Sequence, residues 1–207
     1  MKKEDKIFQL LQKNYGEVKP FLRFSNPLES LIATILSAQC TDERVNIVTK
    51  ELFKKYKTPE DYLNVSNEEL ENDIRSTGFF KNKTKTIKNL CKTLVEKHNG
   101  KVPPSMEELT KIPGIGRKTA NVVLSQAFGI VEGITVDTHV LRVSQRLGLT
   151  DKKDPEKVEI DLMEKFSKDK WYQLSMLLIL HGRKICGAKK PKCGECFLND
   201  LCDFIKK

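Results

Sequence analysis

Four cysteines crowd the end of the chain, Cys186, Cys193, Cys196 and Cys202, in the spacing C-x6-C-x2-C-x5-C. No other feature restricts the fold so strongly. They are four of the six cysteines present, and Gly187, Pro191 and Gly194 lie among them with few apolar residues. Connections this short can only be turns, and four thiolates on such turns can converge on one metal centre. Zinc and an iron–sulfur cluster both accept four thiolates, so the spacing leaves the two open. The basic loop Gly187-Ala188-Lys189-Lys190-Pro191-Lys192 lies inside the clasp. A metal there would hold a positively charged loop in shape, which points to a nucleic-acid backbone as partner.

The charge balance points the same way. Thirty-seven Lys and Arg against 28 Asp and Glu leave a net +9, a field that favours polyanions. A lysine-rich solvated surface accounts for the same excess. With 39% hydrophobic and 31% charged residues, the 207-residue chain has material for one large core or two small ones, at roughly 100–150 residues per domain. The N-terminal Met1-Lys2-Lys3-Glu4-Asp5-Lys6 turns charged where a signal peptide would turn apolar. The longest apolar run, Met176 to Leu180, falls far short of the ~20 residues of a membrane span. A soluble, cytoplasmic chain without membrane association is expected, in which cysteines serve as metal ligands or free thiols. Cys40 and Cys91 sit on apolar helical patterns and read as ordinary buried thiols.

The patterning predicts an all-α fold. Asn26-Pro27-Leu28-Glu29 supplies a cap, a proline at the first helical position and an acid in the first turn. Leu28, Leu31, Ile32, Ile35 and Leu36 follow at helical spacing. Thr41 or Asp42 restarts a helix; Ser66 to Glu69 and Ser105 to Glu108 each read as a capping box. Ile87, Leu90, Leu94 and Val95 stripe a helix that stops at Asn99-Gly100. Further helices run from the Pro113–Gly116 turn to Gly129, from Asp137 to Gly148, from Asp154-Pro155 onward, and over about Lys170 to Arg183. Alternating strand patterns are essentially missing.

Between two of these helices lies Ile112-Pro113-Gly114-Ile115-Gly116-Arg117-Lys118-Thr119. Pro113 stops the first helix, and Gly114 and Gly116 allow backbone angles that side chains forbid. Such a turn exposes backbone N–H groups at the start of the next helix, a phosphate site indifferent to base sequence. Glycine turns also occur in α-hairpins that bind nothing. Lys118 falls in the first turn of the following helix, where the dipole disfavours an ammonium and partial burial would act in the same sense. It reads either as an amine nucleophile or as a phosphate-contacting lysine. Asp137, in Val136-Asp137-Thr138-His139, is a preferred helix cap, and one carboxylate oxygen can cap while the other accepts a proton or stabilises a cationic sugar.

Taken together, the hairpin, the Val136–His139 segment and the terminal cysteines closely resemble the endonuclease III family, DNA glycosylases with abasic-site lyase activity in the helix-hairpin-helix superfamily. Leu36-Ser37-Ala38-Gln39, Arg117 to Leu124 and Leu180-His181-Gly182-Arg183 match the pattern as well, from about Ile7 to Phe204. The resemblance implies two helical domains with the DNA site in the cleft between them: a six-helix domain over residues 19–130 containing the hairpin, and residues 1–18 with 131–207 carrying a [4Fe-4S] cluster on Cys186, Cys193, Cys196 and Cys202. It implies that Lys118 attacks C1′ of a flipped, damaged nucleotide in double-stranded DNA, or of an abasic site, with Asp137 assisting. DNA contacts are expected from Gln39, Phe79, Gly114, Gly116, Arg117, His139, Lys189, Lys190 and Lys192. Gln39 would fill the gap left by the flipped nucleotide. Phe79 stands where the family usually has a wedging leucine, a larger apolar wedge for the same job. His98 and His181 read as structural. The resemblance implies excision of oxidised pyrimidines and strand cleavage 3′ to the abasic site by β-elimination, by a monomer acting at a prokaryotic nucleoid. The alternatives are a mismatch-thymine, uracil or alkylpurine glycosylase of the same superfamily, or a helix-hairpin-helix module that binds DNA without catalysis.

Overall fold

The computed structural model describes residues 2–205; Met1, Lys206 and Lys207, which the expected cluster domain includes, lie outside the described residues. Among the described residues there are eleven α-helices and no strand: α1 (Lys3–Tyr15), α2 (Pro27–Leu36), α3 (Asp42–Lys55), α4 (Pro59–Asn64), α5 (Asn67–Ile74), α6 (Phe80–His98), α7 (Met106–Lys111), α8 (Arg117–Val123), α9 (Thr138–Arg146), α10 (Pro155–Lys165) and α11 (Trp171–Lys184). None is long and apolar enough to cross a membrane.

Most starts are set by capping groups within a few residues. Asn26 accepts from Glu29 N, with Pro27 in the first turn; Thr41 accepts from Arg44 N, and Asp154 from Lys157 N. The expected capping boxes differ. Ser66 and Ser105 each accept from the backbone three residues on, but Glu69 turns its carboxylate to Lys55 and does not complete the box. The full reciprocal box forms at Thr58 and Asp61, ahead of α4. The helix begun at Arg117 also departs from expectation: after Val123 it widens into a π-helical turn, Leu124–Phe128, before Gly129 ends it in the left-handed conformation.

The chain divides into two units. One comprises Pro20–Ile130, the other Met1–Lys19 with Val131–Lys207. In the first, α4 and α5 pack on α6, and α2 packs on α3, α6 and α8. Leu31, Leu36, Val45, Leu70, Ile87, Leu90, Leu94, Val123 and Leu124 are fully buried in its core. In the second, α9 and α1 pack on α11, and Ile7, Leu11, Val140, Val143, Leu174, Leu177 and Leu178 are fully buried. At roughly 1.5–3 kcal/mol per buried aliphatic side chain, these rows hold each helix to its neighbours.

Candidate catalytic site and metal centre

The hairpin is anchored from below. Ile112 and Ile115 are buried, and Ile115 N donates to Ile112 O at 3.0 Å, closing the turn between α7 and α8. Gly114 takes φ +89°, and a Cβ there would stand 3.1 Å from Thr86 Cγ2, so glycine is required. Gly116 does not need the glycine-only angles expected of it. Its φ of −90° and ψ of 171° suit any residue, and a Cβ would meet nothing within 4 Å. Its bareness instead leaves the first turn of α8 open to an incoming group. Arg117 and Lys118 occupy that turn and both are exposed. Partial burial, which would have favoured a neutral amine, is therefore absent at Lys118.

Gln39 and Phe79 share an uncommon feature: both are non-glycine residues in the left-handed region, at φ 54° and 50°. Gln39 lies in the turn after α2, and Phe79, 60% exposed, precedes α6. Phe80, next to it, is half-buried under Arg75. Gln39, Phe79 and Gly114 line one cavity of about 330 Å3 with Thr34, Lys83 and Thr119. Cys40 lies in that same turn and is half-buried, not on a helical stripe as expected. Cys91 is buried as expected, and burial pushes its thiol up to about 12.

Asp137 is the N-cap of α9. Its Oδ1 accepts from both His139 N and Val140 N at 2.8 Å, so the cap does not use Oδ2. His139 is half-buried; its Nδ1 faces Arg142 at 3.1 Å, and burial lowers its pKa, outweighing the opposing charge of Asp137.

Cys186, Cys193, Cys196 and Cys202 all line one pocket, with Val143, Leu147 and Ile185 as apolar wall. Burial raises the Cys196 thiol, and the other three cysteines raise it further, as expected of four sulfurs crowded together. Yet among the described residues no three His, Cys, Asp or Glu side chains come together as ligands of a single metal ion. Four thiolates lining one pocket match the ligand number of a cluster in which each iron takes one thiolate. Polar groups also meet the sulfurs. Arg146 donates to Cys186 Sγ at 3.3 Å and to the carbonyls of Gly187 and Ala188 at 2.8 and 3.0 Å. His181 Nε2 lies 3.6 Å from Cys196 Sγ, while Nδ1 faces the Tyr15 hydroxyl at 3.0 Å. Donors of this kind stabilise cluster thiolates. Burial pushes His181 down to about 4, so it is neutral there. Lys189, Lys190 and Lys192 are exposed on the loop that Arg146 holds, and Lys192 lies 4.0 Å from Glu195.

Sequence reasoning missed Arg146 and the bridging role of His181, and also Lys83, which is buried beside the Gln39 turn. The contacts of Arg146 and His181 span 15 to 166 positions, and no local pattern announces them.

Comparison with known proteins assigns the class. The profile of HhH-GPD superfamily base excision DNA repair proteins matches residues 32–168. The profile of the iron–sulfur binding domain of endonuclease III matches residues 186–202, which begin and end on Cys186 and Cys202. Endonuclease III of Synechocystis sp. is 51% identical over 196 residues, 95% of this chain and 90% of its own length. Endonuclease III of Bacillus subtilis is 54% identical over 179 residues, 86% and 81%. A solved structure of a trapped endonuclease III–DNA covalent intermediate superposes with a TM-score of 0.92 at 48% identity, covering 100% of this chain and 98% of that one. An all-helical fold with this hairpin and this profile defines a base excision DNA repair protein. More narrowly, the chain belongs to the endonuclease III family. It is a DNA glycosylase and abasic-site lyase that carries a [4Fe-4S] cluster.

Proposed function

We propose that this enzyme excises oxidised pyrimidines of the thymine glycol type from double-stranded DNA and cuts the strand 3′ to the resulting abasic site. The observation that carries this reading is the exposed amine of Lys118 in the first turn of α8, beside a bare Gly116, in a chain similar to a protein captured as a covalent DNA intermediate. The unprotonated Nζ of Lys118 attacks C1′ of the flipped nucleotide, and the bond from C1′ to the base breaks, the base leaving with a proton. Nitrogen then gives up its remaining proton to O4′ as the C1′–O4′ bond breaks, which opens the ring to a 4′-hydroxyl and leaves a C1′ imine. Removal of a C2′ proton then expels the 3′ phosphate, which is β-elimination.

Asp137 assists through Oδ2, taking up and returning the protons of these steps and stabilising positive charge on the sugar. The N–H groups of the Gly114–Lys118 turn and the side chain of Arg117 hold DNA phosphates. Gln39 fills the gap left by the flipped nucleotide, Phe79 wedges the stack open, and His139 contacts the strand. Cys186, Cys193, Cys196 and Cys202 are the cluster ligands. The cluster supplies a fixed anchor for the loop that presents Lys189, Lys190 and Lys192 to the backbone. The hairpin, Lys118 and Asp137 all come from one chain, and the enzyme acts as a monomer.

Borohydride trapping on an abasic duplex tests the chemistry. The parent protein forms a covalent adduct and Lys118→Ala forms none; full trapping by Lys118→Ala overturns the assignment. Duplexes bearing thymine glycol, 5,6-dihydrouracil, uracil, mismatched thymine or 3-methyladenine test the specificity. Cleavage at the first two is expected, and activity confined to the other three would overturn it.

A further inference from the structure

A buried cation that the chemistry does not use ties together the two turns that carry Gln39 and Phe79. Lys83, in the first turn of α6, is 5% exposed. Its Nζ donates to Leu36 O and to Thr77 O, both at 2.8 Å. Leu36 is the last residue of α2, so its carbonyl is one of the acceptors a helix end leaves without an internal partner. Thr77 ends the short 3-10 turn that leads into Gly78 and Phe79. The left-handed residues follow directly: Gln39 three positions after Leu36, Phe79 two after Thr77. Both side chains, and Lys83 itself, line the same cavity.

Burying an ammonium is costly unless its hydrogen bonds are met, and an apolar side chain of the same length fills such a slot at less cost. A lysine here therefore does something packing does not. Two carbonyls on separate turns, fixed by one ammonium, set the distance between those turns. The strained backbone at Gln39 and Phe79 persists only where its surroundings determine it. Burial also lowers the Lys83 pKa, with nearby Cys40 acting in the opposite sense, in keeping with an enclosed group.

We propose that Lys83 is a positioning residue for lesion recognition: by bridging the Leu36 and Thr77 carbonyls it holds Gln39 and Phe79 together, ready to enter the DNA stack as one device. The proposal rests on the reading of Gln39 and Phe79 given above.

The test compares two rates on the same preparation of the cluster-loaded protein. One is strand cleavage at a thymine glycol in duplex DNA, which requires the base to be expelled and its gap filled. The other is cleavage at an abasic site in single-stranded DNA, which requires neither. Lys83→Met is expected to lower the duplex rate by about 10- to 100-fold relative to the single-stranded rate, as misplacement by about an ångström does. Lys83→Arg, which keeps a buried cation with donors for both carbonyls, restores most of the ratio. A smaller folded fraction lowers both rates together and cannot imitate this result. Should Lys83→Met not accumulate as folded protein, Lys83→Gln, with one amide in place of the ammonium, is read in the same way. Gln39→Ala and Phe79→Ala separate the two levels of the argument. If they shift the ratio and the Lys83 variants leave it unchanged, Lys83 has no positioning role. If they leave it unchanged themselves, the reading of Gln39 and Phe79 is wrong and the proposal falls with it.

Discussion

The Tyr15 hydroxyl and the Nδ1 of His181 are 3.0 Å apart although 166 positions separate them in the chain. Both rings pack around Phe197, with centroids 5.4 and 5.3 Å from it. Tyr15 is the last residue of α1 and His181 lies in the last turn of α11. This contact joins the start of the chain to the wall of the cysteine pocket. With a thiolate at Cys196, one proton arrangement satisfies all three groups: Tyr15 donates to Nδ1, and Nε2–H points at the sulfur.

Tyr15→Phe removes the hydroxyl and leaves Nδ1 of a buried histidine without its partner. The expected loss is about 1–3 kcal/mol of stability, with faster bleaching of the cluster absorbance in air. Denaturant unfolding and visible spectroscopy check it. An unchanged midpoint and bleaching rate would show that the contact contributes nothing.

Asp137 has two roles that mutation separates. Asparagine caps a helix as well as aspartate does, so Asp137→Asn is expected to keep stability within about 0.5 kcal/mol, while Asp137→Ala costs about 1 kcal/mol. Both variants lose the carboxylate, and the glycosylase rate drops by about 100-fold or more in each. Thermal melts and single-turnover kinetics make the comparison. Equal kinetics for parent and Asp137→Asn would reduce the residue to a cap.

The cluster loop is expected to bind phosphate through Lys189 and Lys190 more than through Lys192, whose charge is shared with Glu195. Replacing Lys189 and Lys190 together by glutamine weakens binding to any duplex sequence and flattens the plot of log K against log salt by about 2. Lys192→Gln has the smaller effect. Salt titrations of a fluorescent duplex measure both slopes, and an unaltered slope in the double variant removes the loop from the interface.

The two hairpin glycines are expected to respond differently. Gly114→Ala forces a side chain into φ +89° and against Thr86, costing about 1–3 kcal/mol. Gly116→Ala meets neither obstacle in the free protein, so its stability stays within about 1 kcal/mol of the parent. If Gly116 is bare to admit phosphate, that variant binds DNA more weakly while remaining fully folded. Melting curves and binding isotherms on the same samples distinguish the two effects.

The all-helical reading and most helix starts were legible because they depend on neighbours in the chain. Asn26 with Pro27, and Asp154 with Pro155, carry their own stereochemical instructions, and Ile87, Leu90 and Leu94 mark a face at helical spacing. The cysteine motif was legible for the same reason, since its spacing alone forces turns. Competition for partners was not legible: Glu69 could have completed a capping box with Ser66, and instead pairs with Lys55. Nor was the backbone state of Gly116, because a glycine in the sequence does not say whether its φ is positive.

Composition and local spacing thus determined the helices, the clustered thiols and the hairpin from which Lys118 projects, all of them consequences of forces acting over a few residues. Tertiary structure alone decided which groups surround the sulfurs and which cation bridges the turns of Gln39 and Phe79. Arg146, His181 and Lys83 reach their partners across tens to more than a hundred residues, or through a turn whose shape the core sets. A buried ammonium or imidazole is tolerable only where packing brings acceptors and donors to it, and that condition is met by the folded chain and written in no short stretch of it.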